Sequence, residues 1–542
     1  MTAIDPITVE VVGSSLNSVV EEMGEALVRA SYSTNIKERR DCSTALFDKR
    51  GFTICQAEHI PMHLGSIIEF IPYIIESCGT DEIRPGDVFM GNDAYAGGAT
   101  HLPDIVLAEP IFFERELVAW AINTAHHADF ADRGHSHIFQ EGIRIPPVRL
   151  YREGVLQEDL REVFLLNCQV PRERLSDINA QLAANRLGAR RLNDLFAKYG
   201  REQMLAAWRA LQDYSERKMR AGIAAIPDGV YRFSDTFDSN QYPASLEFDV
   251  AIGVEGDSMV LDFNAPAQVS AGLNMVYTSL LSACYYSVKS AVDPTILPNS
   301  GLARPLRIAA PKGSILNCVH PAAVDGRIAA CQRVADLVHG ALSQAIPDKV
   351  AAAGNGCCTG AIFNGVRSNG ELWVYLETIG GGGGARPTGD GMSGIQVHLT
   401  NTSNLPVEAM EREYPLTLLR YELVDGSAGP GEFRGGMGIR RMYRVEEACR
   451  FVVEGSRLRS RPWGLAGGRH GAGSRFDLGD GPGAFSGTRD LEPGQIVAIE
   501  TPGGGGYGPP ADRSRAMARA DLLDGRICKD EAHHIYGLED GR

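Results

Sequence analysis

The chain has 542 residues, of which 44% are hydrophobic and 22% charged, a composition typical of a globular protein with a large core. Its 53 basic and 68 acidic residues give a formal net charge of −15, which disfavours nucleic-acid binding because that function needs a concentrated basic face. No apolar run reaches the roughly 18 residues that a membrane span needs. The N-terminus lacks the basic and apolar regions of a secretory signal.

Cysteine usage indicates a reducing compartment. The 11 cysteines are scattered along the chain, and Cys357-Cys358 is the one close pair. A disulfide framework would show regular spacings. We therefore expect a cytoplasmic protein with free thiols and no membrane association.

The first elements alternate between helix and strand. Apolar residues at helical spacing predict an amphipathic helix over residues 7–32. Two short β-type runs around an Asp…Gly turn predict a hairpin over residues 43–56. After Pro85-Gly86 the apolar runs 106–113 and 117–124 predict two further strands.

The middle and the end of the chain have different patterns. Residues 171–225 are rich in Ala, Leu, Arg and Glu, which predicts two or more helices. Alternation over residues 230–265 predicts antiparallel strands, and a further helix is predicted over 330–345. Short strands separated by glycine turns are predicted from residue 412 onward.

These patterns predict an α+β protein of several units, with mixed helices, largely antiparallel sheets and a glycine-rich, β-rich C-terminal region. The predicted units are an N-terminal α+β region with a candidate metal site, a helical segment, an α+β region with a Gly-rich loop, and the β-rich end of the chain. Their boundaries are 1–170, 171–229, 230–411 and 412–542.

The densest cluster of candidate ligands lies between residues 92 and 137, which hold five of the 13 histidines. Imidazole nitrogen and carboxylate oxygen are ligands that Zn, Mn and Fe accept. His101 and Asp104 share one loop, and the segment 105–125 has the length of a β-hairpin. Such a hairpin would return His126 to the neighbourhood of His101. By pattern alone, a metal site and ordinary capping or hydrogen-bonding roles both remain open.

Other ligand candidates are less specific. Asp41 follows two arginines, so it is either a ligand or a partner in a salt bridge. His59 and His63 would share a helix face at i, i+4, but Pro61 disfavours a helix there, and they could instead line a pocket. His135 and His137 flank Ser136 close to Gly134, and solvent-facing or hydrogen-bonding roles are the simpler interpretation.

Two other residue types have ordinary explanations. The runs Gly380–Gly384 and Gly503–Gly506 could cradle an anion, yet the chain has no P-loop motif, and close backbone packing explains them more simply. Four cysteines are conceivable nucleophiles, but none lies in a recognisable catalytic signature. They are Cys42, Cys55, Cys331 and Cys357.

Taken together, motifs along nearly the whole chain resemble the hydantoinase B/oxoprolinase family. The motifs are Asp5-Pro-Ile-Thr-Val-Glu10, Arg40-Asp-Cys-Ser-Thr44, Met62-His-Leu-Gly-Ser66, Thr100-His-Leu-Pro-Asp-Ile105, His126-His-Ala-Asp129, Gly380–Gly384, Asn404-Leu-Pro-Val-Glu408, Phe433-Arg-Gly-Gly-Met-Gly438 and Thr501-Pro-Gly-Gly-Gly-Gly-Tyr-Gly508. One segment departs from the family pattern: Asp425-Gly-Ser-Ala-Gly429 stands where relatives carry Asp-Ser-Gly-Gly.

The resemblance implies a B-type subunit that works with a larger A-type subunit. The A-type subunit would bind ATP and Mg and would activate a lactam or hydantoin-type ring, such as 5-oxoproline, hydantoin or N-methylhydantoin. The resemblance further implies a hetero-oligomer with two copies of each subunit. It maps the metal ligands onto His101, Asp104 and His126, with Asp41 as a fourth.

The resulting hypothesis is a cyclic amide hydrolase whose divalent metal (Zn, Mn or Fe) acts as a Lewis acid or lowers the pKa of a bound water. His127 or Asp129 would serve as general base or would hold the second ring nitrogen of His126. Two alternatives stay open: a ketone carboxylase of the acetone or acetophenone type, and a non-catalytic scaffold protein with a structural metal.

Overall fold

A computed structural model of the chain describes residues 4–57, 59–127, 135–478 and 487–538. Within these ranges the helices are α1 (Pro6–Ala30), α2 (Thr34–Lys37), α3 (His63–Ser66), α4 (Phe70–Cys78), α5 (Glu158–Leu166), α6 (Pro171–Tyr199), α7 (Arg201–Ile223), α8 (Tyr277–Val292), α9 (Ile328–Leu342), α10 (Val407–Glu413), α11 (Arg515–Leu523) and α12 (Lys529–His534). Short 3-10 helices cover Thr80–Glu82, Ile138–Gln140 and Pro510–Asp512.

The strands are β1 (Cys42–Asp48), β2 (Thr53–Gln56), β3 (Val88–Gly91), β4 (Asp104–Phe113), β5 (Glu116–His126), β6 (Val148–Arg152), β7 (Val155–Leu156), β8 (Gly229–Ser239), β9 (Tyr242–Glu255), β10 (Ser258–Asn264), β11 (Leu306–Ala309), β12 (Thr359–Val366), β13 (Leu372–Ile379), β14 (Leu416–Leu423), β15 (Ile439–Val445), β16 (Cys449–Glu454), β17 (Arg475–Asp477), β18 (Thr488–Leu491) and β19 (Ile496–Glu500). They form four sheets, and among these strands only β10 and β11 pair in parallel. The predicted α+β class with largely antiparallel sheets is confirmed.

The first sheet has the order β2-β1-β5-β4-β3-β6-β7, and helices cover both of its faces. Along β5, Ala119 and Ala121 pack against α1, α6 and α7, whereas Trp120 and Ile122 pack into the core beside α4. Successive strand residues point to opposite faces, so a strand that is buried on both faces becomes apolar throughout. This accounts for the long apolar run that predicted β5.

Helix α1 shows how local sequence sets an element's limits. The Asp5 side chain accepts a hydrogen bond from the Thr8 backbone N–H at 3.1 Å, and Pro6 occupies the first helical position. The buried side chains run from Val12 to Val28 at helical spacing. The predicted helix over 7–32 is therefore confirmed, with its end at Ala30.

The second sheet, in the order β11-β10-β9-β8, packs against α8 and α9. The third sheet (β13-β12-β16-β18) and the fourth sheet (β14-β15-β19-β17) share one apolar core, in which Phe363 and Phe451 of the third meet Tyr443 and Val497 of the fourth. Strands from both sides of residue 411 pair within the third sheet. The predicted boundary at 411/412 thus falls within a region whose strands share a sheet.

Most of the predicted elements agree with the structure, and a few helices were missed. The hairpin over 43–56, the helices within 171–225 and the strands within 230–265 are all present. Helix α8 was not predicted, because its apolar residues surround the helix and leave no clear polar face. The all-β pattern expected from 412 onward was wrong for α11 and α12. Ser514 caps α11 by accepting from the Met517 backbone N–H.

The glycine runs pack directly against one another. A Cβ atom added to Gly382 would lie 2.1 Å from the Gly436 carbonyl oxygen, and one added to Gly504 would lie 1.9 Å from that of Gly383. Backbone N–H groups of these runs are used internally: Gly382 donates to Pro502 and Gly504 donates to Gly436. The prediction that the runs are close-packed backbone is confirmed, because their donors are already satisfied.

None of the helices in the described ranges combines the length and the apolar character that a membrane crossing requires.

Candidate metal centre

The antiparallel pairing of β4 and β5 assembles the candidate ligands. Asp104 opens β4 and His126 closes β5, and the two residues are direct partners in the ladder. His101 lies in the loop that leads into Asp104. The ligand atoms of His101, Asp104 and His126 all lie within 4.8 Å of one another, and all three residues are buried. The hairpin predicted from the length of segment 105–125 therefore brings His126 back beside His101.

Charge around Asp104 keeps its carboxylate ionised. Burial by itself would raise the pKa of Asp104, but His101 and Arg327 outweigh that effect and hold the pKa well below its usual range. The His101 Nε2 atom lies 3.2 Å from Asp104 Oδ2, and an Arg327 guanidinium nitrogen donates to the same oxygen at 3.1 Å. A buried anionic oxygen between imidazoles is a donor set suited to a divalent cation.

The ring of His101 is oriented by a backbone carbonyl. Its Nδ1 atom lies 3.2 Å from the carbonyl oxygen of Asp325. A carbonyl oxygen can only accept, so Nδ1 carries a proton, and Nε2 is the ring nitrogen that a metal ion beside Asp104 would meet. Metal-binding histidines commonly have their second nitrogen held in this way.

His126 is oriented by Asn35. The Asn35 side-chain amide nitrogen lies 3.0 Å from His126 Nδ1 and donates to the His126 carbonyl oxygen at 2.6 Å. The carbonyl oxygen of the same Asn35 amide accepts from the Arg39 guanidinium. The sequence-based prediction placed His127 or Asp129 on the second ring nitrogen; of the described residues, Asn35 lies beside Nδ1. Asp129 itself lies outside the described residues.

His127 faces helix α6. Its Nε2 lies 3.0 Å from the Gln181 side-chain oxygen of α6, and it does not line the cavity that holds His126. Burial and the nearby Arg174 lower the pKa of His127 to about 4, so this imidazole is neutral at pH 7. Adjacent residues at a strand end point to opposite faces, which explains the separation of His126 and His127.

Asp41 lines the same cavity as the three clustered side chains but does not belong to the group whose ligand atoms lie within 4.8 Å. Its backbone carbonyl accepts from the His126 N–H at 2.9 Å. Burial raises the pKa of the Asp41 carboxyl to about 6, with Arg39 opposing and Asp104 adding to the increase. The structure thus places Asp41 beside the predicted ligands without bringing its carboxylate among them.

Of the two histidines near Pro61, only His63 reaches the cavity. Helix α3 begins at His63, so the predicted absence of a helix over 59–63 is confirmed. The His63 Nε2 lies 3.9 Å from Asp104 Oδ2 and its Nδ1 lies 2.8 Å from Ser43 Oγ. Burial lowers the pKa of His63 to about 4. His59 instead packs against Gly24 of α1.

The remaining candidates from the sequence have structural partners. His135 Nδ1 lies 3.1 Å from an Asp325 carboxylate oxygen, and the His137 backbone N–H donates to the Gln140 side-chain oxygen of the short helix Ile138–Gln140. All 11 cysteines are free thiols. Burial raises the pKa of each of the four conceivable nucleophiles, which disfavours the reactive thiolate. The four are Cys42, Cys55, Cys331 and Cys357.

The candidate ligands open onto a cavity of about 70 Å³. One side comes from the N-terminal region and includes Asp41 and His63. The other side comes from the third sheet and from α9. Its residues include Gly360, Ile362, Leu376, Thr378, Glu454, Arg327 and Ile328. The site therefore lies where the first and third sheets meet.

A buried ion network supports one edge of this cavity. His398, at φ 54°, places its Nε2 2.8 Å from Asp336, and Asp336 in turn accepts from Arg457 at 2.7 Å. The segment after His398, residues 399–402, contributes cavity-lining side chains. The Met62 N–H donates to the Leu399 carbonyl at 3.0 Å and ties this segment to the region of His63.

Sequence reasoning missed Asn35, Arg39, Arg327 and Thr378 as residues of the site. Arg327 and Thr378 lie far along the chain from the predicted ligands, and their neighbourhoods carry no ligand-type spacing. A larger cleft of about 590 Å³, lined in part by Phe52, shares no side chain with the cavity at the candidate ligands. A choice of site by cavity volume alone would therefore have selected this cleft instead of the cavity at His101, Asp104 and His126.

Comparison with known proteins agrees with the fold and with the motifs. The model of the hydantoinase B/oxoprolinase family matches residues 5–510. The chain therefore belongs to the hydantoinase B/oxoprolinase family.

Two relatives match over nearly their full lengths. A protein named as the B-type subunit of a D-/L-hydantoinase, from Pseudomonas sp. (strain NS671), is 35% identical, with 99% of this chain and 95% of that protein covered. The beta chain of the caprolactamase of Pseudomonas jessenii is 32% identical, with 99% of this chain and 97% of that protein covered.

Two solved structures share the fold. ATP-dependent caprolactamase from Pseudomonas jessenii matches with a TM-score of 0.89 at 29% identity and covers 100% of this chain and 98% of that chain. Acetone carboxylase in a nucleotide-free state matches with a TM-score of 0.90 over 99% of this chain and 80% of that chain. At 20% identity, the second match shows the common fold alone.

Proposed function

We propose that this chain is the metal-bearing B-type subunit of an ATP-dependent enzyme that opens a lactam or hydantoin-type ring. The observation that carries the proposal is the buried group of His101, Asp104 and His126, whose ligand atoms lie within 4.8 Å of one another at a cavity. Family membership and the names of the hydantoinase and caprolactamase relatives support a hydrolase of cyclic amides.

The proposal includes an A-type partner that binds ATP and Mg. The names of both full-length relatives describe one component of a larger enzyme, and the caprolactamase structure is described as ATP-dependent. This chain has no P-loop motif, so a partner would supply the nucleotide site. We expect a hetero-oligomer with two copies of each subunit.

The residues at the cavity have distinct roles in this proposal. His101, Asp104 and His126 would hold a divalent ion (Zn, Mn or Fe), with Asp41 as a further candidate ligand. Such an ion would supply Lewis acidity toward the reacting carbonyl and toward water. The Asp325 carbonyl and the Asn35 amide hold the two imidazoles in position.

Proton transfer needs a neutral base near these ligands. The sequence-based candidates were His127 and Asp129. The His127 ring is hydrogen-bonded to Gln181 and does not line the cavity. His63 does line the cavity and its imidazole is neutral, so His63 is a third candidate for the general base. Turnover of alanine variants at His63, His127 and Asp129 separates these three candidates.

The proposal is tested in the complex reconstituted with the A-type subunit. We expect ATP-dependent ring opening with at least one compound from a panel of lactams and hydantoins. The His101→Ala and His126→Ala variants should lose this activity, whereas His470→Ala, a change at an exposed histidine, should keep it. Wild-type turnover by the two ligand variants would rule out a catalytic metal at this position.

The same assay addresses the two alternatives. The likeness to acetone carboxylase concerns the fold alone, so carboxylation is tested directly by incorporation of labelled bicarbonate into acetone or acetophenone. A scaffold with a structural metal would retain ring opening in variants that keep the fold but lose the ion. A catalytic site needs an open coordination position, whereas a structural site is saturated by protein ligands.

A further inference from the structure

Arg39 is a buried cation at the cavity with an incomplete set of partners. Its side chain is 1% exposed and lines the same cavity as the candidate metal ligands. One terminal nitrogen donates to Asn35 and to the Leu376 carbonyl at 2.9 Å, and the other donates to Thr378 Oγ1 at 2.8 Å. Among the described residues, the Nε–H has no hydrogen-bond partner.

No carboxylate oxygen of the described residues lies within ion-pair distance of this guanidinium. An arginine stays charged in proteins, and burying an unpaired charge is costly. Asp41 lies on the same cavity, and burial raises the pKa of its carboxyl while Arg39 lowers it, but the two groups are not within ion-pair distance. The positive charge of Arg39 is therefore open to an anion that enters the cavity.

Further donors surround Arg39. The hydroxyls of Thr378 and Thr402 share a hydrogen bond at 2.6 Å, which leaves one O–H of the pair to donate to a ligand, and both residues line the cavity. Arg327 adds a second guanidinium, which already donates to Asp104 and to the Thr100 hydroxyl at 2.9 Å. A guanidinium beside hydroxyl groups is a typical arrangement for binding phosphoryl or carboxylate oxygens.

We infer that Arg39, together with the Thr378 and Thr402 hydroxyls, forms an oxyanion-binding subsite beside the candidate metal ligands. The inference rests on the proposed function, because the same cavity would hold the reacting ring. Two sources of the anion share this chemistry: a phosphoryl group added to the substrate at the expense of ATP, and a carboxylate of the substrate itself. Binding at the subsite would orient the reacting carbon toward His101 and His126.

The test measures anion binding to the full chain by titration calorimetry, after the metal has been stripped with a chelator. The probes are inorganic phosphate, 5-oxoproline, and 2-pyrrolidinone, which has the same ring without the carboxylate. The variants are Arg39→Lys and Thr378→Val. The matched control is Arg40→Lys, a neighbouring arginine whose side chain is 52% exposed and pairs with Glu25.

We expect the wild type and Arg40→Lys to bind at least one of the two anions with equal affinity. Arg39→Lys should weaken that binding at least about tenfold, because a lysine cannot reproduce the planar set of donors. A loss confined to phosphate identifies the phosphoryl source. A loss confined to 5-oxoproline, with 2-pyrrolidinone unaffected, identifies the carboxylate source.

Two results would overturn the inference. One is an affinity of folded Arg39→Lys equal to that of the wild type for both anions. The other is wild-type binding of both anions weaker than about 10 mM. Thr378→Val leaves the Arg39–Asn35 contact in place, so it carries the test if Arg39→Lys does not fold, and an unchanged affinity in that variant overturns the inference as well.

Metal analysis separates this inference from the proposed function. If Arg39→Lys loses anion binding but retains bound metal after reconstitution, the subsite stands independently of the metal ligands. If His101→Ala retains both metal and ring opening while Arg39 still controls anion binding, the metal role of His101 in the proposed function fails and the subsite remains.

Discussion

Asp104 and His126 face each other as direct partners across the antiparallel pair β4–β5, and this pairing brings the loop residue His101 into the same group. The strand ladder holds the Asp104 and His126 backbones rigidly. A ligand pair on neighbouring strands is more accurately placed than one on loops, and a metal site depends on such placement.

The first prediction concerns metal content. His101→Ala and His126→Ala should each lower the affinity for Zn or Mn at least about tenfold, because each removes a donor of the group. Mass spectrometry of the isolated full chain measures the bound metal per protein. The exposed His470→Ala variant should retain the wild-type content. Equal metal content in all three variants would show that the cluster does not hold the ion.

The second prediction concerns Asn35. Asn35→Ala removes the amide that donates to the His126 carbonyl oxygen and contacts the His126 ring, so His126 is held less firmly and metal affinity should fall by roughly 10–100-fold while the fold is retained. Competition with a metal chelator of known affinity measures the change. Asn369→Ala, at an exposed turn, is the control. An unchanged affinity in Asn35→Ala would mean that the amide does not support the metal ligand.

The third prediction concerns His127. His127→Ala should lower the free energy of unfolding by about 1–3 kcal/mol, because the Gln181 side-chain oxygen loses a buried partner. Metal content and turnover of the folded variant should stay near wild type. Denaturant unfolding and the reconstituted assay measure the two effects. A folded variant with lost turnover would instead support the role of His127 as general base.

The fourth prediction concerns the glycine runs. Gly504→Ala should destabilise the protein by about 3 kcal/mol or prevent folding. Its Cβ would lie 1.9 Å from the Gly383 carbonyl oxygen, which is a backbone atom and cannot move aside as a flexible side chain would. Gly253→Ala, where a Cβ meets nothing within 4 Å, should change stability by less than about 1 kcal/mol. Thermal unfolding compares the two, and similar melting temperatures would contradict the packing argument.

The fifth prediction concerns pH. Burial and the adjacent His398 lower the pKa of His339 from 6.5 to about 4. Between pH 6.5 and pH 4, His339 is protonated in the unfolded chain and neutral in the folded chain. His339 therefore lowers the free energy of unfolding as the pH falls through this window, by about 1.4 kcal/mol per pH unit.

Replacing His339 with Gln should remove this contribution. The loss of stability between pH 7 and pH 5 should then be smaller than in the wild type by about 2 kcal/mol. Denaturant unfolding at the two pH values provides the measurement, and the exposed His470→Gln variant is the control. An identical pH dependence in His339→Gln and wild type would show that His339 is not neutral in the folded state.

Local pattern determined much of the architecture in advance. Periodicity predicted α1, the helices of 171–225 and the strands β4 and β5, because one continuous run of side chains decides which face of an element is buried. The hairpin length of segment 105–125 brought His126 back to His101 and Asp104 without any long-range information. The motifs, read in order, indicated the family that the comparisons show.

Only the tertiary structure decided what surrounds those ligands. Arg39, Arg327 and Thr378 meet at the cavity because the first sheet packs against the third sheet and the start of α9, and Asn35 holds His126 from beside it. The sequence pattern also did not predict which way the side chains at the end of β5 point. His126 faces the cavity, whereas His127 faces Gln181. Sequence spacing determines which residues are adjacent along a strand, whereas packing between distant segments determines which charges and donors share one buried space.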